Sequence, residues 1–151
     1  MADIVNNPKA RRDYHILDTF EAGIVLRGTE VKSLRAGKGQ IGEAYARVEN
    51  DEVWLYNAHI EEYSHGNMLN HQPKSKRKLL LHKTEIRKLF DQVSIKGNAL
   101  FPLSMHWKTG KVKVILAVGK GKAQHDKRQD LKEKNADLEM KRAIANSLKG
   151  R

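Results

Sequence analysis

Two pairs of alternating runs, each closed by a two-residue turn, constrain this chain more than any other feature. Residues 98–107 and 111–119 straddle Thr109-Gly110, and residues 42–49 and 53–60 straddle Asn50-Asp51. In the second pair Tyr45, Arg47 and Glu49 alternate with Ala44, Ala46 and Val48, a period of two that puts one residue type on each face of a strand. Asn, Asp and Gly tolerate the left-handed backbone of tight hairpins. A chain with two such hairpins is committed to an antiparallel sheet with one buried face.

The remaining segments extend that sheet. Residues 13–27 alternate around Tyr14, Ile16, Phe20, Ile24 and Leu26 and predict a long strand, bent or bulged at Gly23. Thr29 is placed to cap a helix reaching Ala36, with Glu30 in its first turn and Gly37 as its stop. Residues 63–73 read as an exposed loop and 74–81 as a strand. A second helix, capped by Thr84 and carrying Ile86, Leu89 and Phe90, ends near Gly97. Six strands with two or three short helices favour a small antiparallel β-barrel of the oligonucleotide-binding type, since a doubly wound sheet would need a helix after most strands.

After Val118 the composition changes. Residues 119–151 hold ten Lys or Arg, five Asp or Glu and no aromatic. This predicts a domain over 1–120 and a basic tail over 121–151 that is disordered in solution. Heptad spacing of Leu131, Leu138 and Ala145 lets the tail become helical on a partner surface.

Charge narrows the function. The 151 residues include 29 Lys or Arg against 18 Asp or Glu, a net charge of +11 that calls for a polyanion, with nucleic acid first and anionic membrane second. Seven basic residues (74, 76, 77, 78, 83, 87, 88) and one acid, Glu85, crowd residues 70–90 and predict a phosphate-binding surface. Aromatics are only 6%, so a folded RNA read by shape fits better than a stacked single strand. There is no cysteine, no secretory leader and no run long enough to span a membrane, and a cytoplasmic location follows.

Catalytic and ligand motifs are weak. Gly37-Lys-Gly39-Gln-Ile-Gly42 has the spacing of a dinucleotide loop but follows a helix and precedes a strand, the reverse of what that mechanism needs. Seven histidines have no metal-site spacing, and no serine lies in a nucleophile elbow. No enzyme, cofactor or metal is expected.

Four strings are more specific: Phe20-Glu-Ala-Gly-Ile24, Gly28-Thr-Glu-Val-Lys-Ser-Leu-Arg-Ala-Gly-Lys38, Arg77-Lys-Leu-Leu-Leu-His82 and His125-Asp-Lys-Arg128. Together they resemble the SsrA-binding protein family, also called small protein B, in order and length over residues 6–151. The resemblance implies a factor that binds the tRNA-like domain of transfer-messenger RNA and brings it to stalled 70S ribosomes. It carries Asn7, Glu21, Leu80, His82 and Lys113 over as RNA-binding positions, with Lys120 and Lys122 leading into the tail. Arg35, Arg77, Lys78 and Lys83 are counted with them. His125, Asp126, Lys127 and Arg128 match the motif that acts at decoding-centre ribosomal RNA, where His125 can stack on a base. Glu21 is odd beside phosphates, and it serves either as an acceptor from base or ribose donors or as a structural clasp. Ala123 stands where the family commonly has lysine. A monomer is expected, and the alternative is a ribosomal protein or RNA chaperone with a basic tail.

Overall fold

The computed structural model describes residues 3–65 and 70–122, and the tail residues His125, Asp126, Lys127 and Arg128 lie outside them. Within the compact unit Met1–Gly121, the chain runs β1 (Asp3–Asn6), α1 (Pro8–Asp13), β2 (Tyr14–Ile24), α2 (Gly28–Arg35), β3 (Gly39–Gln40), β4 (Tyr45–Glu49) and β5 (Glu52–Tyr56). It continues with β6 (His59–Ile60), β7 (Arg77–Leu80), α3 (Lys83–Val93), β8 (Asn98–Lys108) and β9 (Lys111–Gly121). Seven strands form one antiparallel sheet in the order β1-β8-β9-β2-β7-β5-β4, and β3 pairs with β6 beside it.

Both expected hairpins are present. Asn50 and Asp51 have φ of 50° and 62°, and Thr109 and Gly110 of 52° and 74°, the left-handed pair whose twist matches the flanking strands. The second arm of the first hairpin is shorter than its alternation suggested. Asn57, at φ 59°, breaks the strand, and His59–Ile60 leaves to pair with Gly39–Gln40.

The sheet is not closed into a barrel. Its edges are β1 and β4, and β4 lies beside the first half of β8 without pairing to it. A cleft of about 380 Å³ separates them, lined by Tyr45 to Val48, Asn98 to Leu100, and Val93 at the end of α3. Val93 lines this cleft, and β8 spends its other edge further along, on β1.

The main core lies on the inner face. β9 contributes Val112, Val114, Leu116 and Val118, β2 Phe20 and Ala22, and β5 Val53 and Leu55, while α2 and α3 cap them with Leu34 and Leu89. Each of these large side chains stabilises the fold by about 1.5–3 kcal/mol relative to exposure. A smaller cluster of Ala10, Phe101, Leu103 and Ala117 buries part of the opposite face under α1. There Tyr14 sits 4.5 Å from Phe101 between ring centroids. Gly119 is required by this contact, because a Cβ on it would fall 2.6 Å from the Phe101 ring.

Two local expectations change. Gly23 is in regular register with both Leu80 and Lys113, and the irregularity in β2 lies between Ile16 and Asp18. Thr29 does not cap α2. The N–H of Arg27 donates to Glu30 Oε1 at 2.9 Å, and the Thr29 hydroxyl pairs with Nδ1 of the buried His71 at 2.8 Å. Likewise α3 is capped at His82, whose N–H donates to Glu85 Oε1 at 3.1 Å. The N-terminal elements β1 and α1 were not anticipated.

Candidate nucleic-acid interface

Strand alternation decides which predicted residues face outward. On β2, Phe20 and Ala22 point into the core, so Glu21 and Gly23 face out. On β9, Val112 and Val114 point in and Lys113 faces out. Lys113 sits in ladder register with Gly23 on one side and His106 on the other. On β7, Arg77 and Leu79 point in while Lys78 and Leu80 face out.

These rules bring Glu21, Leu80 and Lys113 onto one surface. Leu80 is 52% exposed and crosses Gly23 so closely that a Cβ there would meet Leu80 Cβ at 3.3 Å. Beside it runs a groove of about 270 Å³ with Gly23, Ile24, Leu26 and Trp107 in its lining and Lys111 and Lys113 along it. The guanidinium of Arg35, from the end of α2, lies 5.6 Å from the centre of the Trp107 ring. His82 and Lys83 follow Leu80 directly at the start of α3, and Lys83 shares a smaller cleft with Asp51, Ile86 and Arg87.

Glu21 is not left bare on this surface. Lys108 Nζ donates to its Oε1 at 2.9 Å, and His106 Nε2 lies 3.6 Å from its Oε2. The Lys108 hydrogen bond, with the positive charge of Lys108 and Lys113, holds the carboxyl below the usual carboxylate range. A carboxylate compensated in this way repels phosphate less and remains an acceptor for hydroxyl or amino groups. Lys108 and His106 were missing from the sequence reading, because only cross-strand register connects them to Glu21.

Other predicted residues have different surroundings. Arg77 is 3% exposed; it pairs with the buried Glu30 and donates to the carbonyls of Ala58 at 2.7 Å, Pro73 at 2.9 Å and Gln72 at 3.3 Å. Four of its five N–H donors are engaged inside the fold and the group is buried, so the direct phosphate contact expected of Arg77 is corrected on that ground. Asn7 is also buried. As N-cap of α1 it accepts from Ala10 N–H, and its amide donates to the carbonyls of Ile41 at 3.2 Å and Pro102 at 2.9 Å. Its place is beneath the surface, as a clasp between the N-terminal arm and β8.

The basic run 74–88 therefore does not make a single surface. Lys76 lies over the Trp54 ring, Lys78 pairs with Glu52 at 3.3 Å, and Lys88 pairs with Asp18 at 3.5 Å. Lys120 is exposed at the far end of β9, opposite His15, and Lys122 is the last described residue. Among the described residues no three His, Asp or Glu side chains gather as a metal site, and no helix is long and apolar enough to cross a membrane.

Comparison with known proteins places this geometry in a family. The family model described as SmpB protein matches residues 4–146. A protein named SsrA-binding protein from Saccharopolyspora erythraea is 51% identical over 98% of this chain and 94% of its own length. One of the same name from Acidothermus cellulolyticus is 52% identical over 97% and 92%. A solved chain described as "tmRNA-SmpB: a journey to the center of the bacterial ribosome" superposes with a TM-score of 0.69 at 45% identity, over 86% of this chain and 95% of that one. With the family model covering most of the sequence and half of the residues shared along nearly its whole length, this chain belongs to the SmpB family of SsrA-binding proteins.

Proposed function

We propose that this protein binds the tRNA-like domain of transfer-messenger RNA through the outer face built on Glu21, Gly23, Leu80 and Lys113. It delivers that RNA to stalled ribosomes in the cytoplasm, acting without catalysis. Family membership supplies the class of RNA. The observation that carries the assignment to this face is the exposed Leu80 packed over Gly23 beside a groove with Lys111 and Lys113. An apolar ridge next to lysines meets sugar edges and phosphates together, which suits a folded RNA recognised by shape.

His82, Lys83 and Arg35 extend the face. Lys120 and Lys122 lead towards the tail, whose His125, Asp126, Lys127 and Arg128 act at decoding-centre ribosomal RNA. Asn7 and Arg77 serve the same end indirectly, by fixing the N-terminal arm and the base of β7. The test is a titration at physiological salt against transfer-messenger RNA with and without its tRNA-like domain, run beside a peptide-tagging assay on ribosomes stalled on a non-stop message. Selective tight binding to the intact RNA is expected. A chain ending at Lys122 should keep that affinity and lose tagging. Equal affinity for unrelated folded RNA would favour a general RNA chaperone instead.

A further inference from the structure

Among the described residues of this face, His106 combines burial with a ring nitrogen that lacks a hydrogen bond. It is 4% exposed, and its Nε2 has no hydrogen-bond partner. A buried ring nitrogen without a partner is destabilising, and a polar site next to it is where compensation is found. Glu21 Oε2 stands 3.6 Å away, just outside hydrogen-bond reach, while Glu21 Oε1 is held at 2.9 Å by Lys108. Glu21 and Lys108 are partly exposed, with side-chain accessibilities of 34% and 48%, so water solvates both in the free protein. RNA covering this face removes that water. The carboxylate then gains most by turning towards a buried donor, and the lysine by turning towards a phosphate.

We infer that His106 is a positioning residue for RNA recognition: on binding it takes a proton and holds Glu21 through Nε2–H, releasing Lys108 to the RNA backbone. The inference rests on the reading that RNA docks on this face. The charge balance is simple. Solvent supplies one proton to the imidazole, the imidazolium replaces the ammonium beside the carboxylate, and Lys108 becomes an additional phosphate ligand. The charged groups around His106 are Glu21 on β2, Lys108 on β8 itself, Lys113 in register on β9 and Asp3 in register on β1. Protonation thus occurs between two carboxylates and two lysines, and withdrawal of Lys108 tips that balance towards the charged ring.

The test measures affinity of the full chain for the tRNA-like domain between about pH 5.5 and 8, the range over which histidines titrate, at fixed ionic strength. Wild-type affinity should fall as pH rises, by at most tenfold per unit, the limit for one linked proton. His106→Gln keeps an N–H donor without a titration, so it should bind well and lose that slope. His106→Phe should lose the slope, bind several-fold more weakly and, with Lys108 still on Glu21, lower the dependence of log K on log salt by about one phosphate contact. The other ionisable groups are common to every variant, so the reading is the difference from wild type. Nitrogen NMR of His106 gives a measure independent of affinity, and RNA addition at neutral pH should move the ring to the protonated form. A slope that persists undiminished in His106→Gln, or a ring that stays neutral in the complex, overturns the inference. A Glu21→Gln variant binding as tightly as wild type at every pH overturns the placement of RNA on this face. A Glu21→Gln defect beside an unaltered His106→Gln slope overturns the role of His106 alone.

Discussion

Replacing Arg77 separates a structural arginine from an RNA ligand. Arg77→Ala removes the partner of the buried Glu30 and the donors that reach the carbonyls of Ala58, Gln72 and Pro73. Breaking one side of a buried ion pair costs about 3–5 kcal/mol because the other charge is stranded. Each deserted carbonyl adds up to about 1 kcal/mol where water cannot reach it. Glu30 keeps one contact, the Arg27 N–H at 2.9 Å, which relieves part of the loss. The expected destabilisation is about 4–5 kcal/mol, a large share of the roughly 5–15 kcal/mol that holds a domain together. In urea, with a slope of about 2 kcal/mol per molar, the midpoint should fall by about 2 M, followed by the fluorescence of Trp54 and Trp107. Whatever remains folded should bind RNA with an unchanged salt dependence. Arg77→Met combined with Glu30→Met should recover the share lost to the stranded charge, since a well-packed apolar pair of similar volume replaces a buried ion pair with little loss, while the three carbonyls stay without their donor. A loss below about 1 kcal/mol together with a shallower salt dependence would refute this reasoning and restore Arg77 as a phosphate ligand.

Lys83→Ala and Lys113→Ala should each weaken RNA binding and reduce the salt slope by about one unit, measured by titration at several salt concentrations. Gly23→Val should leave the unfolding free energy, measured in urea, within about 1 kcal/mol of wild type yet weaken RNA binding about tenfold, since its branched side chain must displace Leu80, already 3.3 Å from the Cβ position. Asp18 is held below the ordinary carboxylate range, first by the Gln92 amide and then by Thr19 N–H and Lys88. A lowered folded value means that its stabilisation is complete above the unfolded value of about 3.9 and is lost as pH falls through the folded one, so Asp18→Asn should flatten the acid limb of stability below about pH 4.

The two hairpins and the two longer helices were legible because their signals are local. A left-handed pair at Asn50-Asp51 or Thr109-Gly110 and an apolar spacing of 3.6 need no knowledge of the rest of the chain. Arg77 was misread because Leu79, Leu80 and Leu81 are all apolar, which erases the period of two that would have placed 77 and 79 on the inner face. Counting charge along residues 74–88 then mistook nearness in sequence for a common surface. At the N-terminus Asn7-Pro8 carries a readable cap-and-first-turn signature, overlooked because six residues give no apolar period. Sheet closure depends on the angle at which β4 approaches β8, which no sequence window reports. The contact of Glu21 with Lys108 joins positions 87 residues apart and waits on the register of three strands.

The strand order carries a kinetic consequence. β2, made early in the chain, pairs with β9, made last in this unit, and β1 pairs with β8. The Asn7 amide reaches Pro102, 95 residues away. Loop closures of that length must precede the contacts that reward them, so folding on the millisecond-to-second scale is expected, set by docking of the β8–β9 hairpin onto β2. Until that hairpin arrives, Glu21 and Gly23 have no Lys113 or Lys108 beside them, and a partly synthesised chain cannot assemble this outer face at all.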